Sequence, residues 1–231
     1  MQRRRRSLAV DVLLVVATVG VAMAARGRFY RGSSLEPASW TPAVSRERIV
    51  AEARQLRGIW YDPLQGYFGN LGGRLGLIVC MDVPVIAYRN AGASLRRLLE
   101  ADYRAHPRHY APGDGKPGDP YFHRRARNLY AYCKANGCLS AGEPPAPGDV
   151  AFFSRSRDGV IAHIALVSET APAVRVVEAS RDYGYVTREV PLDDVVRRGW
   201  FFRGYGSVLS DDHVANRMPP DASWHMKGRD A

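Results

Sequence analysis

The 231-residue sequence has no phosphate-binding loop and no dinucleotide fingerprint, which removes the chemistries that such glycine-rich turns serve. Its six histidines and three cysteines show no paired metal-ligand spacing except Cys133 and Cys138, and no His-x-x-x-His accompanies that pair. Neither a metal nor another cofactor is therefore expected. There is no recognition-helix or RNP-like motif, so nucleic acid is not an expected partner. Internal repeats are absent and no low-complexity tract dominates, which argues against global disorder.

What is present begins with size and hydrophobicity. With 46% hydrophobic and 24% charged residues, the chain has material for one domain with a real core, but not comfortably for two. Residues 1–27 stand apart. Arg3, Arg4, Arg5 and Arg6 precede an apolar stretch from Leu8 to Ala25 whose single charge is Asp11, and Ala22-Met23-Ala24 has the small-x-small pattern of a signal-peptidase site. This reads as an export signal, or as an uncleaved inner-membrane anchor, because the apolar run is near the lower length limit for a span. The stretch has no polar face, which argues against an amphipathic core helix. Residues 28–44 read as a linker, 45–208 as the folded domain and 209–231 as a loose tail. The domain is thus expected outside the cytoplasm, in the periplasm or cell envelope, with membrane contact through the N-terminal segment if it stays uncleaved. The net charge is +10, and removing residues 1–24 takes away four arginines and one aspartate, leaving about +7. A basic exported protein suits anionic partners such as wall polymers, lipid headgroups or acidic peptides.

Three cysteines is an odd number. Cys133 and Cys138 either close a short disulfide across a helix end, as an oxidising compartment permits, or are two separate buried thiols. Cys80 is then left over, and a leftover cysteine in an exported protein is a candidate reactive thiol.

The chain's periodicity changes along its length. Ser45 is placed to cap a helix to about Leu56, with Ile49, Val50, Ala53 and Leu56 on one face and Gly58 as its stop. Residues 58–79, rich in glycine and aromatics, read as an irregular loop feeding Leu77-Ile78-Val79. A helix then runs from within a few residues of Cys80 to about Asn90, because Pro84 fits only a first turn. Ser94 caps a second helix carrying Leu95, Leu98, Leu99 and Tyr103. A third is expected from about His123 to Ala135, closed by Asn136-Gly137. Beyond the proline-rich segment 143–148 the pattern turns to period two, with strands at 149–154, 161–169, 174–180, 185–190 and 199–206. Helices first and antiparallel strands later indicate an α+β domain.

Three residues on this scaffold have the chemistry of a nucleophilic site. Cys80 stands at a helix start, where free N–H groups and the positive dipole end favour a thiolate and can bind an oxyanion; the alternative is an inert buried cysteine. His163 is one imidazole in an apolar strand, Ile161 to Val167, and is either a satisfied core residue or a base. The turn Pro147-Gly148-Asp149 suggests a hairpin that lays its strand beside 149–154. Glu178, on the following strand, is either an ordinary strand-end glutamate or the group that fixes the imidazole tautomer.

The order of these pieces resembles the NlpC/P60 superfamily of papain-like cysteine peptidases and, more narrowly, the bacterial family DUF1287. The matching segments are Tyr61-Asp62-Pro63, Val79-Cys80-Met81-Asp82-Val83 with Ala87-Tyr88-Arg89, Ala91-Gly92-Ala93-Ser94-Leu95, Asp102, His123-Arg124-Arg125 with Asn128-Leu129, Pro147-Gly148-Asp149-Val150, His163-Ile164-Ala165-Leu166-Val167 and Gly199-Trp200-Phe201-Phe202-Arg203. They cover roughly residues 58–206. The sequence departs from the Asp-Cys-Ser-Gly usual in NlpC/P60 enzymes, since Val79 precedes Cys80 and Asp82 follows at the second position. The resembling family often has histidine where Glu178 stands.

The resemblance implies a papain-like fold, a helical half packed on an antiparallel β-sheet. It also implies a Cys80–His163–Glu178 acyl-transfer enzyme cutting an amide bond in cell-wall peptides. Tyr61, Asp82, His123, Arg124 and Arg125 are the candidate substrate-binding residues. For the arginines a carboxylate clamp competes with a salt bridge to Asp82 or Asp102; one structural pair and one ligand contact is the expectation. The rival functions are papain-like acyl chemistry on another substrate, such as a lipid, and a non-catalytic module that binds wall polymer in the same cleft.

Overall fold

The computed structural model describes residues 27–32, 44–65, 67–119 and 121–209. All but the last residue of the expected export signal or anchor at 1–27, residues 33–43 of the expected linker and nearly all of the expected tail lie outside these residues. Among the described residues no helix is long and apolar enough to cross a membrane.

Among the described residues, five helices and two single 3-10 turns precede the sheet. Helix α1 (Arg46–Gln55) starts where Ser45 Oγ accepts from the Arg48 N–H at 3.2 Å, and it buries Ile49, Val50 and Ala53. Helix α2 (Tyr67–Arg74) occupies part of the stretch expected to be irregular. Its glycines weaken helix propensity, but Gly72 answers a packing need: a Cβ there would lie 2.2 Å from the carboxyl carbon of buried Asp62. Helix α3 (Asp82–Ala91) follows Cys80 directly, with Pro84 in its first turn and Gly92 closing it at φ +103°, where glycine is the residue without a Cβ penalty. Helix α4 (Leu95–Ala105) is capped by Ser94, whose Oγ accepts from the Arg97 N–H at 3.1 Å.

The third expected helix begins later than its sequence suggests. A 3-10 turn covers Phe122–Arg124, Arg125 is extended at φ −95° and ψ 113°, and α5 runs Ala126–Ala135. Asn128 fixes this break. Its Nδ2 donates to the carbonyls of Phe122, at 2.8 Å, and Asp114, at 3.1 Å, tying turn, helix and the 106–120 loop together.

The sheet has six antiparallel strands in the order β1-β6-β2-β3-β4-β5: β1 (Leu139–Ser140), β2 (Val150–Ser154), β3 (Ile161–Glu169), β4 (Arg175–Ser180), β5 (Val186–Pro191) and β6 (Phe201–Gly206). The two-residue β1 and the six-residue helix α6 (Leu192–Arg197) carry too little pattern to be foreseen; α6 starts after Pro191 with Asp193 and Asp194 in its first turn. The strands of the central hairpin are buried on both faces. Phe152, Ile164, Leu166 and Val177 join the helical core, while Phe153, Ala165, Val167 and Val176 form a second cluster with Trp200 and Val195. Each fully buried Leu, Ile or Phe contributes roughly 1.5–3 kcal/mol on transfer.

The Pro147-Gly148-Asp149 turn fixes the hairpin to the helices. Asp149 accepts from Arg46 at 2.7 Å and from the Ala146 N–H at 2.8 Å, and the Tyr88 hydroxyl of α3 donates to the Gly148 carbonyl at 2.7 Å. The register that faces β3 toward the start of α3 is set here. Residues 28–32, expected as linker, run along the domain instead: the Arg28 N–H bonds the Gly58 carbonyl at 2.6 Å and the Tyr30 N–H bonds that of Gly76 at 2.7 Å.

Candidate active site

Cys80 is half-buried between the Ile78 bridge to Tyr61 and the first turn of α3. The turn is built by Asp82. Its Oδ2 accepts from the Val79 N–H at 2.8 Å, and Arg124 clasps both oxygens, Nε to Oδ1 at 2.7 Å and Nη2 to Oδ2 at 2.6 Å. Within the turn the Asp82 N–H bonds the Val79 carbonyl and the Val83 N–H that of Cys80, while Pro84 has no N–H. Among the described residues this leaves the N–H groups of Cys80 and Met81 at the turn without a chain partner, beside the thiol.

The sheet brings His163 to meet it. Phe153 and His163 are paired across β2 and β3, and the imidazole is only 3% exposed. Its Nε2 is bonded to Glu178 Oε2, and Cys80 and His163 line one cleft, near enough for the thiol to act on the ring. Glu178 is fully buried, and its other oxygen accepts from Arg198 at 2.7 Å. Trp200 stacks on His163, with centroids 4.8 Å apart and planes 26° from parallel, and its indole N–H donates to Asp182 at 3.1 Å.

These contacts decide the charges. Burial pulls the His163 imidazole down, but the Glu178 carboxylate, its hydrogen bond and the neighbouring Cys80 outweigh it and hold the group up at about 10. Burial likewise pushes Glu178 up, and the charge and hydrogen bond of His163, with Arg198, bring it below the usual carboxylate range. The two directions describe one ion pair: at neutral pH an imidazolium sits between a carboxylate and a sulfur.

Sulfur and imidazole open into a cleft of about 490 Å³. Of the five residues expected to bind substrate, Tyr61, Arg124 and Arg125 line it, whereas Asp82 and His123 do not. The Asp82 carboxylate is taken up by Arg124 and the Val79 N–H. His123 is held at about 4, first by burial and then by the Arg96 charge, so it is neutral at pH 7. Asp102, the other candidate arginine partner, instead accepts from Tyr110 at 2.8 Å and Asn136 at 3.0 Å and lies 3.0 Å from His109 Nδ1. Burial raises the Tyr61 phenol above its ordinary range. The Cys133 and Cys138 thiols are free, so the disulfide alternative is not the state of this structure.

Arg198, Trp200, Arg155 and Arg181 were not singled out from sequence as site residues. Trp200 alone had a signal, its place in the Gly199-to-Arg203 segment. Arg155 and Arg181 follow strands whose ends are foreseen, but nothing local shows that those ends reach the cleft; Arg198 follows the unforeseen α6. Among the described residues, no three His, Cys, Asp or Glu side chains converge as metal ligands.

A family model described as "Domain of unknown function (DUF1287)" matches residues 67–191. Among curated proteins none matches the chain. Solved structures similar to it include an NlpC/P60 family protein from Bacillus cereus ATCC 10987, at 14% identity and a TM-score of 0.46, over 73% of this chain and 42% of that one. NlpC2 from Trichomonas vaginalis is also similar, at 14% identity and a TM-score of 0.41, over 75% of this chain and 49% of that one. NlpC1 from the same organism shares 15% identity at a TM-score of 0.40, over 75% of this chain and 47% of that one. The chain thus spans less than half the length of each of these structures.

Proposed function

The chain belongs to the DUF1287 family, and from that membership and the geometry of its cleft we propose that it is a cysteine hydrolase of the cell envelope, cleaving an amide bond in wall peptides. The observation that supports this most is His163 itself, one buried imidazole bonded to the Glu178 carboxylate and sharing a cleft with the Cys80 thiol. A core histidine needs neither a thiol at a helix start nor a cleft in front of it.

The reaction follows from the charges. Cys80 is the nucleophile, and His163 is the group beside it that holds the proton its sulfur gives up. The thiolate attacks the amide carbonyl carbon, and the N–H groups of Cys80 and Met81 receive the oxyanion. His163 gives its proton to the leaving amine as the C–N bond breaks. Water, deprotonated by the same imidazole, then cleaves the thioester and restores the ion pair. Glu178, fixed by Arg198, keeps the ring oriented, and Trp200 covers it from solvent.

The test is incubation of the purified protein with wall sacculi and mass analysis of what is released, with Cys80→Ala alongside. New peptide fragments from the wild type only are expected; identical fragments from both would remove wall peptide as the substrate. The binding-module alternative predicts normal sacculus binding by both proteins and a Cys80 that alkylates no faster than a free cysteine. A second substrate reading has one observation in its favour: an apolar groove of about 1090 Å³ meets the cleft at Tyr61, lined by Phe29, Tyr30, Trp60, Leu77 and Tyr185 among others. Cleavage of a long-chain N-acyl amide, but not of sacculi, would select it.

A further inference from the structure

The apolar groove that meets the cleft at Tyr61 lies close, along the chain, to the apolar run at 8–25. Gly27 lines this groove and rests on the Trp60 indole, where a Cβ would come within 2.6 Å of the ring. Ala25, the last residue of the run, is two residues away, a reach of at most about 7 Å. The headgroup layer of a bilayer is itself roughly 5–8 Å deep on each side. With the run in a membrane as an anchor, the groove is therefore held at the lipid headgroups.

The lining suits that place. Phe29, Tyr30, Trp60, Leu77 and Tyr185 are among the walls of a space of about 1090 Å³. Arg28 and Arg31 also line it, against a single acid, Glu52, which already accepts from Asn90 Nδ2 at 3.1 Å. Apolar surface continues beside the groove. Leu71 and Leu75 are 45% and 57% exposed, and Leu75 precedes Gly76, whose carbonyl receives the Tyr30 N–H. An exposed apolar patch edged with arginine marks a contact face.

The backbone decides which kind of chain fits. Around the groove the N–H groups of Arg28, Tyr30, Trp60 and Ile78 already donate to the carbonyls of Gly58, Gly76, Arg28 and Trp60, at 2.6, 2.7, 2.9 and 3.0 Å. A peptide laid along these walls would find those groups taken, and its own amides would be buried unpaired. A methylene chain has no such groups to satisfy.

We propose that this groove holds one acyl chain of an anionic phospholipid, drawn from the membrane that the apolar run enters, with Arg28 and Arg31 at the headgroup. The lipid is bound rather than cut, and it seats the domain so that the Tyr61 edge of the cleft faces the bilayer. This site is independent of what Cys80 cleaves.

Photo-labelling in a bilayer tests it. The full chain is reconstituted in vesicles of phosphatidylcholine and phosphatidylglycerol in equal parts, with a trace of one of them carrying a diazirine near the end of its acyl chain. Light expels dinitrogen, the carbene inserts into whatever surrounds it, and the labelled peptides are identified by mass. Labelling within residues 8–25 serves as the internal standard. Labelling at Trp60, Leu77 or Tyr185 is expected in addition. Relative to that standard it should be about tenfold stronger from phosphatidylglycerol than from phosphatidylcholine, and the preference should fade in added salt and in R28Q/R31Q. F29Q/Y185Q should cut groove labelling by about tenfold and leave that of the run unchanged. These two side chains are 52% and 44% exposed, so the core does not rest on them; should the pair still not fold, Phe29→Gln alone carries the comparison. Labelling confined to residues 8–25 overturns the proposal, and is the outcome if the chain's own residues 33–43 fill the groove. Groove labelling that ignores the headgroup, or that F29Q/Y185Q leaves unchanged, overturns it as well. None of these readouts needs turnover, so the hydrolase reading stands or falls separately.

Discussion

Glu178 is the residue on which the chemistry of His163 turns. It is fully buried, bonded to the imidazole on one oxygen and to Arg198 on the other. Glu178→Gln keeps the shape and removes the charge that holds His163 at about 10. The basic limb of the kcat/KM profile should therefore lie near pH 10 in the wild type and move to lower pH in the variant, with turnover falling on the order of 10²-fold. A pH–rate series on any cleaved amide reads both, and an unmoved basic limb would show that another group sets it. His163→Ala should cost more, about 10²–10⁴-fold, since it removes the proton carrier itself. Trp200→Ala leaves that charge in place but opens the ring to water, so its expected signature is a basic limb shifted far less than in Glu178→Gln.

At the scale of elements, the turn before β2 carries the geometry. Asp149 joins Arg46 of α1 to the Ala146 N–H, and Tyr88 of α3 reaches the adjacent Gly148 carbonyl. Asp149→Ala should cost about 1–3 kcal/mol by denaturant titration, because it takes a buried acceptor from two half-buried donors. It should also lower kcat in the folded protein, because the same turn sets β3 against α3; stability lost with kcat intact would mean the hairpin is positioned by other contacts. Gly72→Ala should destabilise by about 1–3 kcal/mol, since the new Cβ would stand 2.2 Å from the Asp62 carboxyl carbon. These two sites also mark what was legible in the sequence. Capped helices with an apolar stripe, α1 and α4, and alternating strands, β2 to β5, declare themselves locally and fall within a residue or two of expectation. So does the hairpin, through Pro147-Gly148-Asp149. Helix α2 was hidden because its glycines read as punctuation when Gly72 in fact makes room for Asp62. The early start given to α5 came from treating Arg124 as helical, when Asp82 draws it into a 3-10 turn. Arg155, Arg181 and Arg198 reach the site only through tertiary placement that no local spacing encodes.

Over the whole molecule, the site and the stability of the fold share one ion pair. Cys80 belongs to the helical half and His163 and Glu178 to the sheet, so the imidazole meets the thiol only when both halves are assembled. The His163 imidazole rises from an ordinary 6.5 to about 10 on folding, and the group is buried. A group raised in this way stabilises the fold fully below pH 6.5 and loses that contribution as pH climbs to about 10. Glu178 is lowered, so its contribution is present above the ordinary carboxylate range and lost as pH falls through its folded value. Between these limits the wild type should show a plateau, then a decline from pH 6.5 to 10 on the order of a few kcal/mol. In Glu178→Gln the imidazole lacks its counter-charge and burial dominates, so the alkaline decline should flatten. Urea midpoints measured from pH 5 to 10 for the two proteins give the comparison directly. Curves that run parallel across that window would mean that His163 carries no folding-linked proton there, and the imidazolium that the mechanism uses would lose its support along with the stability argument.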